Sequence, residues 1–117
     1  MSESAEPWLP APFASRTIDV RGPLHFVEGG SGPPVVLVHG LGGSHVNWLA
    51  VAPRLAERRR VYVPDLAGFG RTPPGGRGFG VEANAQLLHD FHKAIVKEPA
   101  VYMGSSMGGL VSILHAS

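Results

Sequence analysis

The chain has 117 residues, enough for one compact domain with its own core, and an apolar share of 44% suits a globular protein. Its formal net charge of +1 leaves no electrostatic footprint for nucleic acid, and the basic run Arg58-Arg59-Arg60 reads as a solvated hand-over from helix to strand rather than a phosphate-binding patch. The absence of cysteine excludes disulfides, thiolate metal sites and cysteine nucleophiles.

The start, Met1-Ser2-Glu3-Ser4-Ala5-Glu6, is acidic and polar, with no apolar stretch behind it long enough for a signal peptide or a membrane span. Together with the missing cysteines this leads us to expect a soluble, cytoplasmic protein. Pro7, Pro10 and Pro12 interrupt any helix or strand, so residues 1–15 are expected to be an extended arm, with the folded domain over residues 16–117. Thr17-Ile18-Asp19-Val20 and Leu24-His25-Phe26-Val27 flank Arg21-Gly22-Pro23, the pattern of an antiparallel hairpin. After the breaker cluster at residues 29–34, Val35-Val36-Leu37-Val38 is a continuous apolar run of the kind buried on both faces, a central parallel strand.

His39-Gly40-Leu41-Gly42-Gly43-Ser44 follows at once, and its glycines let backbone N–H groups turn inward towards negative charge. A nucleotide phosphate loop needs Lys then Ser or Thr after its last glycine, whereas Ser44 and His45 stand here. The dinucleotide fingerprint lacks its third glycine. An oxyanion-binding loop remains. Trp48, Leu49, Ala52 and Leu55 recur at helical spacing, and Pro53 fits only a first turn, which predicts a short helix over residues 51–58 with Trp48 in the core. Val61-Tyr62-Val63 is the next strand, closed by Pro64-Asp65, and the glycines and prolines up to Gly80 form a loop. Val81, Ala85, Leu88, Phe91 and Ile95 mark one helix face, leaving His89 and His92 off it and facing solvent. Their spacing comes with no carboxylate pattern around it, so no metal site is expected, and no cofactor.

Ala100-Val101-Tyr102-Met103 then leads into Gly104-Ser105-Ser106-Met107-Gly108 and an apolar run, the order strand, sharp turn, helix. A serine at the tip of such a turn sits on tightly folded backbone, and Gly104 and Gly108 remove the Cβ atoms that would collide there. Ser106 has glycine two positions before and two after, whereas Ser105 has Met103 and Met107, so Ser106 is the nucleophile candidate. A Gly-Ser turn that merely joins strand to helix is the other reading. The alternation of strands and helices predicts right-handed crossovers and a parallel sheet.

Three stretches together resemble the α/β-hydrolase family: His39-Gly40-Leu41-Gly42-Gly43 with Trp48 beyond it, Asp65-Leu66-Ala67-Gly68-Phe69-Gly70-Arg71-Thr72, and Gly104-Ser105-Ser106-Met107-Gly108-Gly109. The resemblance covers nearly all of the chain but only the first half of the family's fold. It implies an α/β fold, a truncated hydrolase sheet in which an antiparallel hairpin is followed by three parallel strands with crossover helices. It also implies that the strand bearing the oxyanion loop and the strand bearing the nucleophile lie side by side. By matched position the oxyanion donors are the backbone N–H groups of Met107 and Leu41, with Gly42 as the substitute for the second. Asp65 corresponds to an aspartate that ends the preceding strand and holds the following loop.

The resemblance breaks at the base. The family order is serine, acid, histidine, yet no Asp or Glu follows Ser106 in these residues and the only later histidine is His115. Nine helical residues place it roughly 13 Å away along the axis. His25, His39, His45, His89 and His92 precede the serine and match no triad histidine. Two expectations follow: the amino-terminal portion of a serine hydrolase for a small-molecule ester or related acyl substrate, inactive alone, or a non-catalytic remnant with a binding or assembly role. In either case the isolated chain is expected to self-associate, without nucleic acid or membrane partners.

Overall fold

The computed structural model describes the backbone of residues 2–4 and residues 9–40, 43–78 and 80–105. Six strands form one sheet: β1 (Ser2–Ser4), β2 (Ala14–Asp19), β3 (Pro23–Gly29), β4 (Pro34–Val38), β5 (Arg60–Pro64) and β6 (Val101–Gly104), in the spatial order β1-β2-β3-β5-β4-β6. The first four in space pair antiparallel, while β5, β4 and β6 run parallel. The hairpin and the three parallel strands are thus those expected. Where the sequence suggested an arm without strands, Ser2–Ser4 pairs with Ser15–Thr17 and adds an edge strand.

Each central strand is buried on both sides, and the two-residue alternation divides its side chains between two cores. Leu24, Phe26, Val36, Val38 and Tyr62 pack under α2 (Val81–Phe91), whose Leu87, Leu88 and Phe91 are buried against them. The Phe91 ring meets Phe26 edge-on at 5.1 Å between centroids and Tyr62 at 6.1 Å. On the other face Val27, Val35, Leu37, Val61 and Val63 meet Phe13, Ala52 and Ala56, with Trp48 and Leu55 packed alongside.

The helices are shorter than the sequence suggested. A 3-10 turn, His45–Trp48, precedes α1 (Ala52–Leu55), in which Pro53 lies in the first turn as expected. The turn is closed by a capping box: Ser44 Oγ accepts the Val46 N–H and Asn47 Oδ1 accepts the Ser44 N–H. Beyond α2 the chain makes a π turn, His92–Val96, which ends at Lys97 in a left-handed conformation. The helix expected after Ser106 lies outside the described residues. The Gly/Pro loop is held down by Arg77, which donates to the carbonyls of Val20 and Gly22 at 3.0 Å each and Pro23 at 2.6 Å. Pro73 and Pro74 carbonyls accept from it as well. Among the described residues no helix is long and apolar enough to cross a membrane.

Candidate active site

β4 and β6 pair in parallel up to Val38↔Gly104, and the Ser105 N–H donates to the Val38 carbonyl at 3.1 Å. His39, where the glycine loop begins, and Ser105, which follows β6, therefore leave the same end of the sheet as neighbours. This is the carboxyl end of parallel strands, where open α/β sheets collect their ligands. His39, Gly40, Gly43, Asp65 and Gly104 are described; Leu41, Gly42, Ser106, Met107 and Gly108 lie outside the described residues.

The loop after β4 is tied to the loop after β5. His39 is fully buried; its Nδ1–H donates to the Gly40 carbonyl at 2.8 Å and its Nε2 accepts the Leu66 N–H at 2.9 Å. Burial pushes the imidazole below its ordinary range, which suits a ring that must keep Nε2 bare to accept. Asn84 of α2 fixes the next residue, its Oδ1 accepting the Ala67 N–H at 2.8 Å.

Asp65, at the end of β5, is fully buried and collects donors from three directions. Its carboxylate accepts from the backbone N–H of His45 at 2.6 Å, of Arg71 at 3.0 Å, and from Nδ1 of His25 and His45 at 2.8 and 3.0 Å. Burial alone would raise this carboxyl, but the His25 and His45 hydrogen bonds and the Arg71 N–H outweigh it and hold the group well below the usual carboxylate range. The chain passes so close at Gly70, φ +53°, that a Cβ there would lie 2.5 Å from Asp65 Cγ. Asp65 thus holds the following loop, Asp65 to Arg71, and also the start of the 3-10 turn.

His25 and His45 were missed as members of this cluster. The available signal was a polar residue inside the apolar run Leu24-His25-Phe26, since such a residue on a doubly buried strand needs a partner. His25 Nε2 also meets Ser15 Oγ at 2.5 Å. Ser15, His25 and Asp65 are joined in the atom order of a hydrolytic relay, but Ser15 is only 2% exposed, so no acyl substrate reaches it and the relay is structural. The second missed contact corrects the reading of His92: it is half-buried, with Nδ1 2.7 Å from the Tyr102 hydroxyl and the two rings stacked, and only His89 is exposed as expected.

The profile of the family described as alpha/beta hydrolase fold matches residues 33–117. The 2-hydroxy-6-oxo-6-(2'-aminophenyl)hexa-2,4-dienoic acid hydrolase of Metapseudomonas resinovorans is 36% identical over 113 residues, covering 89% of this chain and 39% of that protein. Haloalkane dehalogenase 2 of Mycobacterium tuberculosis is 33% identical, covering 90% of this chain and 37% of its own length. Among solved structures, that of epoxide hydrolase CorEH superposes with a TM-score of 0.84 at 30% identity, over 89% of this chain and 37% of that one. The chain thus spans about two-fifths of the length of the relatives it matches.

Proposed function

The chain belongs to the α/β-hydrolase fold family, and on that premise we propose that it is the amino-terminal portion of a serine hydrolase that acts on an ester or related acyl bond of a small molecule. Its relatives include a dienoic acid hydrolase and an esterase, which supports hydrolysis in general; the serine mechanism rests on this chain's own residues. Ser106 is the nucleophile of this reading, and the Met107 and Leu41 N–H groups, with Gly42 as the substitute, receive the oxyanion.

The parallel pairing of β4 and β6 carries the proposal. It sets Val38, which precedes the His39 loop, beside Gly104, which opens the Gly104-Ser105-Ser106-Met107-Gly108 stretch, and this supports a reading in which loop and stretch face a single carbonyl carbon. Attack by Ser106 Oγ on that carbon would form a C–O bond and push charge onto the carbonyl oxygen. Each N–H aimed at it is worth roughly 3–4 kcal/mol of barrier. The base that takes the serine proton would come from residues beyond these, because no carboxylate follows Ser106 here and His115, if the segment is helical, would stand roughly 13 Å along the axis.

In the full-length gene product, Ser106→Ala is expected to abolish hydrolysis of activated esters and labelling by a fluorophosphonate, while Ser105→Ala keeps much of both. Equal loss from the two changes, with both proteins folded by circular dichroism, would reject Ser106 as the nucleophile. The 117-residue chain alone is expected to show little or no turnover.

A further inference from the structure

The glycine loop after β4 is held from inside the protein. His39 is fully buried, and its two ring nitrogens meet opposite partners: Nδ1 stands 2.8 Å from the Gly40 carbonyl and Nε2 2.9 Å from the Leu66 nitrogen. A backbone N–H can only donate, so Nε2 is bare and the ring proton sits on Nδ1, which gives it to Gly40. The same carbonyl accepts the Gly43 N–H at 3.0 Å, the bond of a four-residue turn. Resting on the reading in which Ser106 attacks an acyl carbon, we propose that His39 is a positioning residue: by clamping the Gly40 carbonyl it makes Leu41, and not Gly42, the oxyanion donor of the loop.

The selection follows from covalent geometry. A carbonyl and the N–H that comes after it belong to one planar trans peptide and point opposite ways. A Gly40 carbonyl held by the His39 ring therefore aims the next N–H, that of Leu41, away from the ring. The Gly42 N–H belongs to the central peptide of a four-residue turn, the one whose orientation separates type I from type II. Neither bond to Gly40 fixes it. The clamp is as firm as its far end, and Leu66 lies between two anchored residues. Asp65 before it accepts the His45 and Arg71 N–H groups, and Ala67 after it gives its N–H to Asn84 Oδ1 at 2.8 Å. The Phe69 ring closes edge-on against the imidazole, 5.6 Å between centroids, and the imidazole does not reach solvent. Gly43 is confined as well, since a Cβ there would collide with Asn47 Oδ1. A site whose supporting groups are themselves held keeps its donor in place before substrate arrives.

The test separates the two ends of the clamp. Asparagine carries its amide nitrogen where Nδ1 stands, whereas glutamine carries its amide oxygen near Nε2. In the full-length gene product, His39→Ala should lower kcat for an activated ester at least about tenfold with KM little changed, part of the roughly 10²–10³-fold that a whole oxyanion donor carries. His39→Asn should recover most of that loss and His39→Gln almost none. Recovery by glutamine equal to that by asparagine would overturn the inference, because a histidine that only fills the core has no reason to favour the Gly40 side. Amide exchange followed by NMR reads the clamp without any turnover. The Gly43 N–H should be protected in the wild type and in His39→Asn and should lose protection in His39→Gln; equal protection in all three would overturn the clamp. Activity that survives Ser106→Ala would instead strike the serine reading, while the exchange still decides whether His39 holds Gly40.

Discussion

Asp65 and His39 both resist protonation in the fold, and the sign of each shift fixes how the protein responds to acid. The Asp65 carboxyl is held below its unfolded value, so its contribution is complete above the ordinary carboxylate range and is lost as pH falls through it. His39 is likewise held below its unfolded value of 6.5, so the stability carried by its neutral form is complete above that pH and drains away beneath it. The urea midpoint is therefore expected to decline in two stages, first below 6.5 from His39 and then more steeply below about 4 from Asp65. His39→Gln should lower the midpoint at neutral pH but remove the first stage of its decline. A wild-type midpoint that stays flat from pH 7 to about 4 would contradict the placement of His39.

At the scale of elements, Phe91 is the largest side chain that α2 buries in the core. Phe91 lies fully buried against Phe26 and Tyr62, so Phe91→Ala should cost about 3–5 kcal/mol of unfolding free energy and Phe91→Leu much less. Chemical denaturation of the two variants checks this, and a loss below about 1 kcal/mol for alanine would show that the helix is held elsewhere. How far the sequence revealed these elements depended on whether their cause was local. β4 and β5 were legible as apolar runs, the hairpin through Arg21-Gly22-Pro23, and α2 through its spaced apolar face. β1 was not, because nothing in Ser2-Glu3-Ser4 favours a strand until the Ser15–Thr17 backbone pairs with it. The site divided in the same way. The glycine loop and the G-x-S-x-G stretch stand out in the sequence by local spacing, while residues 41–42 and 106–117 lie outside the described residues. His25 and Asp65 meet because β3 and β5 pair antiparallel, with Phe26 opposite Pro64, and the 3-10 turn after β4 adds His45, contacts between segments far apart in the chain.

Over the whole molecule, the sheet ends in β1 at one side and in β6 at the other. β1 lines one edge; at the opposite edge β6 pairs with β4 and, among the described residues, with no further strand. Val101 is 50% and Met103 43% exposed there, and the stretch carries no charge. Unpaired N–H and C=O groups beside exposed apolar side chains recruit a second chain. The isolated 117-residue chain is accordingly expected to sediment as dimers or larger species. A monodisperse monomer with a cooperative melting transition would refute this and favour an independently folded binding module.

The Arg77 strap bears on where a protease can enter. The loop it closes, rich in glycine and proline, would ordinarily be the first segment nicked, because cleavage needs several residues to open and fit an extended cleft. Trypsin must also take the arginine side chain into its own pocket, and here that guanidinium is shared among five carbonyls from two segments. Extracting it would abandon all five hydrogen bonds at once. Brief digestion should therefore cut after the exposed Arg58 before it cuts after Arg77, and an early fragment ending at Arg77, seen by intact mass, would mean the strap does not hold in water.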